Sequence, residues 1–104
     1  MRGDVHRLRA PRGTKGQEQR GSRYAVVLQS DDLMLSTVLV APTSRSAPPR
    51  TFRPTINIGE EQTQVLVEQT AAVDPRRLGP LVGHATRDEL EAINTSLRLV
   101  LELD

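Results

Sequence analysis

The sequence predicts a small, mainly β domain, a barrel or sandwich with one helix appended at its C-terminus. Three observations carry this. Apolar, β-branched runs of about four residues recur between turn signals. A capping pattern at Thr86 opens a stripe of aliphatic residues at helical spacing. And 104 residues leave room for one core, so positions 1–104 are expected to form a single domain. Tyr24 and Phe52 are the only aromatics and 37% of the residues are apolar, so Val, Leu and Ile must do the packing.

Taken in order, Met1–Arg9 reads as a short strand with Val5 and Leu8 as its apolar members. Residues 10–22 hold three Gly, one Pro and almost nothing to bury, the composition of a flexible basic loop. Ala25–Leu28 is a buried-type strand bounded by Ser30-Asp31-Asp32. Thr37–Val40 repeats that pattern and is expected to stop at Pro42. Ser44–Arg50 is a second basic loop, in which Pro48 and Pro49 exclude regular structure. Further strands are expected at Thr55–Ile58, at Val65–Val67 and around Leu81–Val82. Asp74 before Pro75 offers a cap for a single helical turn. The terminal helix is the clearest element. Thr86 with Glu89 fits a capping box, and Asp88 suits the positive end of the helix dipole. Leu90, Ile93, Leu97, Val100 and Leu101 follow on one face, whereas Leu99 and Leu103 fall off it and hint at burial against a second surface.

The net charge of +1 conceals a segregation. Residues 1–53 carry ten basic side chains and four acids, a balance of +6, and residues 54–104 carry four and nine, a balance of −5. Nine of the ten early cations are Arg, whose planar fork suits phosphate. The first half is therefore either a polyanion-binding surface or an ordinary solvated face. The absence of Cys excludes disulfides, thiolate metal sites and a cysteine nucleophile, and His6 and His84 alone supply a zinc site poorly. No cofactor is expected. No apolar run approaches the ~20 residues that span a bilayer, and the first residues lack a signal-like apolar stretch, so a cytoplasmic location is expected.

Four segments gain meaning together. Arg2-Gly3-Asp4-Val5 opens the chain, and Gly16-Gln17-Glu18-Gln19-Arg20-Gly21-Ser22-Arg23 fills the first loop. Ala25-Val26-Val27-Leu28-Gln29-Ser30-Asp31 is followed by Val40-Ala41-Pro42-Thr43-Ser44. Val65-Leu66-Val67-Glu68-Gln69 precedes Asp74 and Arg77-Leu78. In this order they resemble the MazF/PemK family of toxin endoribonucleases, across nearly the whole chain and including the C-terminal helix. The resemblance implies an SH3-like small β-barrel of the MazF/CcdB type with a C-terminal α-helix, as a homodimer. It implies the toxin component of a type II toxin–antitoxin system, cleaving single-stranded RNA at short sequence motifs without a metal. The implied partner is a cognate antitoxin whose acidic, partly disordered tail blocks the RNA groove.

Carried over motif by motif, the family's catalytic Arg falls on Arg23 and its catalytic Thr on Thr43. Its RNA-contacting loop residues fall on Gln17, Glu18 and Gln19, and its later Gln on Gln69. Arg20, Ser44 and Arg45 are further candidates for RNA contact, and Arg50 is a cation that either reads a base or holds the backbone. The chain departs from the family at Tyr24, where a Pro is usual, and at Gln17, where a small hydroxyl residue is usual.

These residue types suit a reaction in which RNA supplies its own nucleophile. The 2′-hydroxyl attacks the neighbouring phosphorus and the bond to the 5′-oxygen breaks. The protein must align the attack, stabilise the developing phosphoryl charge and manage two proton transfers. Arg23 offers a donor fork and Thr43 a hydroxyl donor. An Arg, with a pKa above about 12, is a poor proton acceptor, so Glu18 is the better candidate for general base, or else it orients Arg23.

Each residue has a plainer alternative. Arg23 can be a surface cation, Thr43 the end of a strand, Glu18 a neutraliser of nearby arginines and Gln69 an ordinary strand residue. Tyr24 either stacks on a base or packs in the barrel. His6 reads as partly packed and His84 as structural. The function has alternatives too: a non-catalytic nucleic-acid-binding module, a degenerate toxin that binds antitoxin but cleaves poorly, or a gyrase-poisoning toxin on the same barrel, against which the loop ending in Arg23 argues.

Overall fold

In a computed structural model, residues 1–9 and 23–104 are described; the loop candidates Gln17, Glu18, Gln19 and Arg20 lie outside the described residues. Among the described residues seven strands precede one α-helix: β1 (Asp4–Leu8), β2 (Tyr24–Val27), β3 (Val38–Ser44), β4 (Thr55–Ile58), β5 (Glu61–Val65), β6 (Ala71–Val73), β7 (Leu78–His84) and α1 (Arg87–Leu101). The strands run in the order β4-β5-β3-β2-β1-β7, with β6 also on β3, and every pairing is antiparallel. The sheet curls into a half-barrel, so β2 is buried on both faces. That is why Ala25–Leu28 is an unbroken apolar run rather than an alternating one.

Alternation along β2 feeds two cores. Val26 joins Val5, Leu28, Ala41, Ile56, Val65, Val67 and Ile93, and α1 covers this cluster with Leu90 and Leu97. Ala25 and Val27 join Val40 and Val73 on the other face, with Leu8, Val38 and Leu78 packed against them. Each fully buried Val or Ile contributes roughly 1.5–3 kcal/mol, which offsets the near-absence of aromatics. The capping box is present, with the Thr86 hydroxyl accepting from Glu89 N–H and the Glu89 carboxylate accepting from Thr86 N–H. The helical turn Pro75–Arg77 also forms, with the Asp74 carboxylate accepting from Arg76 N–H at 2.8 Å.

Three expectations are corrected. First, β3 does not stop at Pro42 but runs to Ser44. The outer edge of β3 pairs with β6 at Val38–Val40 and with β5 at Thr43 and Ser44, so Pro42 stands where the partner changes. A residue with no N–H leaves no donor unpaired there. Second, Val65–Val67 is not a strand. The strand is the more polar Glu61–Val65, and Val67 begins a 3₁₀ turn through Gln69. Val65, Leu66 and Val67 are all buried because the chain turns inside the core. Third, the helical stripe ends at Leu97. Val100 and Leu101, like Leu99 and Leu103, are exposed, and the small Ser96 is buried beside Ile93 instead. No helix among the described residues is long and apolar enough to cross a membrane.

Candidate functional site

The β2–β3 ladder pairs Val27 with Val40, Val26 with Ala41 and Ala25 with Pro42. One step further brings Tyr24 opposite Thr43, and the Thr43 hydroxyl donates to the Tyr24 carbonyl at 3.3 Å. Arg23 is tied on the other side, where its carbonyl accepts from Leu8 N–H at 2.8 Å. The two positions singled out by the sequence thus lie at the same end of adjacent strands. Both open onto a cleft of about 640 Å³. Tyr24, Ser44, Arg45, Glu61 and Gln69 line it with them, and Ile58, Thr63 and Leu66 are its other core-side walls.

Gln69 reaches the cleft because of the partner change at Pro42. Leu66 N–H donates to the Pro42 carbonyl at 2.8 Å, and the following 3₁₀ turn closes with Gln69 N–H on the Leu66 carbonyl at 2.9 Å. The turn therefore stands against the part of β3 that ends in Thr43. Gln69 sits in a turn, not in the strand that was its plainer alternative.

The loop after β3 is fastened at several points. The Ser44 hydroxyl accepts from Ser46 and Ala47 N–H at 3.3 and 3.0 Å, and the Gln64 amide donates to the Ala47 carbonyl at 2.6 Å. Arg45 Nη1 donates to Glu61 Oε2 at 2.6 Å across the cleft wall. At the far end of the loop Arg53, only 17% exposed, forks onto Glu68 Oε2 at 3.0 and 2.7 Å and donates to the Pro48 carbonyl. Burial pushes the Glu68 carboxyl up, but hydrogen bonds from Arg53 and its own backbone, with the Arg53 charge, outweigh this and hold it below its ordinary value. Arg50 donates only to the adjoining Pro49 carbonyl among the described residues.

These pairings qualify the charge pattern. Arg45 and Arg53 of the basic half meet Glu61 and Glu68 of the acidic half, so the segregation along the chain is partly cancelled in space. Glu61 was not anticipated from the sequence. Its place follows from the β4–β5 hairpin, where Gly59 takes a φ of +63° in a two-residue turn and sets Glu61 opposite Ile58. The signal was the alternation Glu61, Thr63, Val65 behind a Gly-containing turn.

Tyr24 is half-buried: it packs against the larger core, the second of its two readings, its ring centre lies 5.9 Å from Arg7 Cζ, and it also lines the cleft. His6 Nδ1 donates to the Gly79 carbonyl at 2.9 Å, since a carbonyl only accepts. His84 Nδ1 meets Asp4 Oδ1 at 2.8 Å, at the junction of β1 and β7. Neither histidine lines the cleft.

Residues 1–101 match the sequence model of the PemK-like, MazF-like toxins of type II toxin–antitoxin systems. A Mycobacterium tuberculosis protein named as a candidate toxin is 35% identical over 104 residues, covering 99% of this chain and 98% of that protein. Among solved structures, the Mycobacterium tuberculosis toxin MazF-mt6 superposes with a TM-score of 0.78 at 16% identity, over 97% of this chain and 98% of its own. MazF from Deinococcus radiodurans gives 0.76 at 24% identity, over 97% and 94% of the two chains. A mycobacterial endoribonuclease in complex with its cognate antitoxin gives 0.78 at 16% identity, over 100% and 96%. The half-barrel with its terminal helix is thus the MazF-type fold, and the chain belongs to the PemK-like, MazF-like toxin family of type II toxin–antitoxin systems.

Proposed function

We propose that this toxin is a sequence-specific, metal-independent endoribonuclease that cuts single-stranded RNA in the cleft shared by Arg23 and Thr43. The observation that supports this best is that those two side chains, with Ser44, Arg45 and Gln69, line one concave surface although they come from three separate segments of the chain. The 2′-oxygen bonds to phosphorus, the bond from phosphorus to the 5′-oxygen breaks, and a proton passes from the former to the latter by way of protein groups or water. The ends are a 2′,3′-cyclic phosphate and a 5′-hydroxyl. Arg23 stabilises the charge on the non-bridging oxygens, and Thr43 adds to it when its one O–H turns from the Tyr24 carbonyl to the phosphate. Gln17, Gln19 and Arg20 contact the RNA with Ser44, Arg45 and Gln69, and Glu18 takes the 2′-proton.

The partner is an antitoxin whose acidic segment competes with RNA for the cleft, a reading supported by the antitoxin complex of the mycobacterial neighbour. The toxin works in the cytoplasm as a homodimer, to which the exposed Leu99, Leu101 and Leu103 lend support. Incubation with a long RNA in excess chelator tests the activity. Fragments with 2′,3′-cyclic phosphate ends are expected, and intact RNA that still shifts in a gel would replace the enzyme by a binding protein.

A further inference from the structure

Among the described residues lining the cleft, Glu61 is the single acid. A carboxylate accepts hydrogen bonds and donates none. Facing RNA it repels phosphate and gains only from donors, which are the 2′-hydroxyls and the amino and imino groups of the bases. Its geometry is set on two sides. The Gly59 turn fixes the register of β5, and Arg45 occupies Oε2 at 2.6 Å, while Oε1 has no partner among the described residues. One oxygen is therefore paired, and the other has no partner among the described residues, on the wall of the same cleft as Arg23 and Thr43.

A carboxylate that a guanidinium already pairs on one oxygen is better placed to read with the other than to take a proton. The base edges differ in what they offer it. Adenine, cytosine and guanine each present an exocyclic amino group. Uracil presents one ring N–H flanked by two carbonyl oxygens, which a carboxylate repels. We propose that Glu61 is a specificity-determining residue: its open oxygen accepts from the amino group of one base near the scissile phosphate and disfavours uracil there. The inference rests on the ribonuclease reading above and adds the chemical class of base that the cleft selects.

The test is digestion of a random-sequence single-stranded RNA pool by the unaltered protein, by Glu61→Gln and by Glu61→Ala, with sequencing of the 5′ ends. Melting curves confirm that both variants fold; the side chain is exposed and Gln keeps its shape. In the unaltered digest uracil is depleted at one position by at least about fivefold, the low end for a good side-chain–base pair. In both variants that depletion disappears while preferences at other positions persist. An unchanged profile overturns the inference. So does a uniform loss of cleavage at every sequence, which would make Glu61 part of the chemistry. If the unaltered protein leaves the pool intact, the ribonuclease reading itself falls, a result distinct from cleavage with an unaltered profile.

Discussion

The Thr43 hydroxyl donates to the Tyr24 carbonyl at 3.3 Å, one residue beyond the last pairing of β2 with β3. The bond seats the hydroxyl beside the start of β2, next to Arg23. Thr43→Val keeps the branched shape and deletes the donor. Single-turnover cleavage is expected to fall by about 10²–10³, the usual cost of one charge-stabilising donor, with Thr43→Ser retaining much more. A Val variant as fast as the unaltered protein removes Thr43 from the reaction.

Arg23 is expected to act through its fork as well as its charge. Arg23→Lys keeps the cation but loses bidentate contact, so the cleavage rate should drop at least about tenfold while RNA affinity changes less. Rate and affinity are measured separately, by quenched time courses and by anisotropy with a non-cleavable RNA. Equal losses in both would make Arg23 a simple binding cation.

RNA binding should weaken steeply with salt because phosphate contacts release counterions. For single strands each contact contributes a slope of about 0.7 in log affinity against log salt. Arg45→Gln is expected to lower the slope by about one such unit. A flat salt response in the unaltered protein would remove the phosphate-binding role of the cleft.

Acid should loosen the loop that Arg53 fastens. The Glu68 carboxyl lies below its ordinary value of 4.5 when folded, so its contribution is complete above that value and is lost as pH falls through the lower, folded one. Asp4 behaves in the same direction: burial raises it, but His84 and the N-terminal ammonium hold it below 3.8. Urea midpoints measured from pH 7 downward should fall below about pH 4.5, and Glu68→Gln should flatten part of that fall. Identical curves would show that the Arg53–Glu68 pair adds nothing to stability.

Gly79 is a further point of constraint. A methyl group there would lie 2.9 Å from the Arg7 carbonyl oxygen, at the irregular stretch of the β1–β7 ladder. Gly79→Ala is expected to cost about 1–3 kcal/mol, as overpacking against backbone does, seen as a lower melting temperature. Gly83→Ala, where nothing lies within 4 Å, is the control.

What the sequence made legible follows the range of the interactions. The Thr86–Glu89 box and the Asp74 cap are local, so a few residues suffice to read them. β2 was legible because both its faces are buried. The extension of β3 through Pro42 was not, since it depends on β5 and β6 arriving on the same edge. Val65–Val67 misled because a buried turn and a buried strand have the same composition. At the site, the meeting of Arg23 with Thr43 and Gln69 was legible only through family resemblance, no local pattern linking residues so distant. Glu61 was missed because its neighbours Glu60 and Gln62 make it look like solvated surface.

The sheet joins β1 to β7, and Arg45 and Arg53 of the first half find their carboxylates at Glu61 and Glu68. Synthesis runs from one end to the other, so a growing chain carries Arg45 and Arg53 before Glu61 and Glu68 exist, and β1 lacks one of its two neighbours until β7 emerges. A ribosome stalled before Gln69 holds a fragment with one wall of the cleft missing. The cleft beside Arg23 and Thr43 is therefore complete only once Glu61, Leu66 and Gln69 have been made.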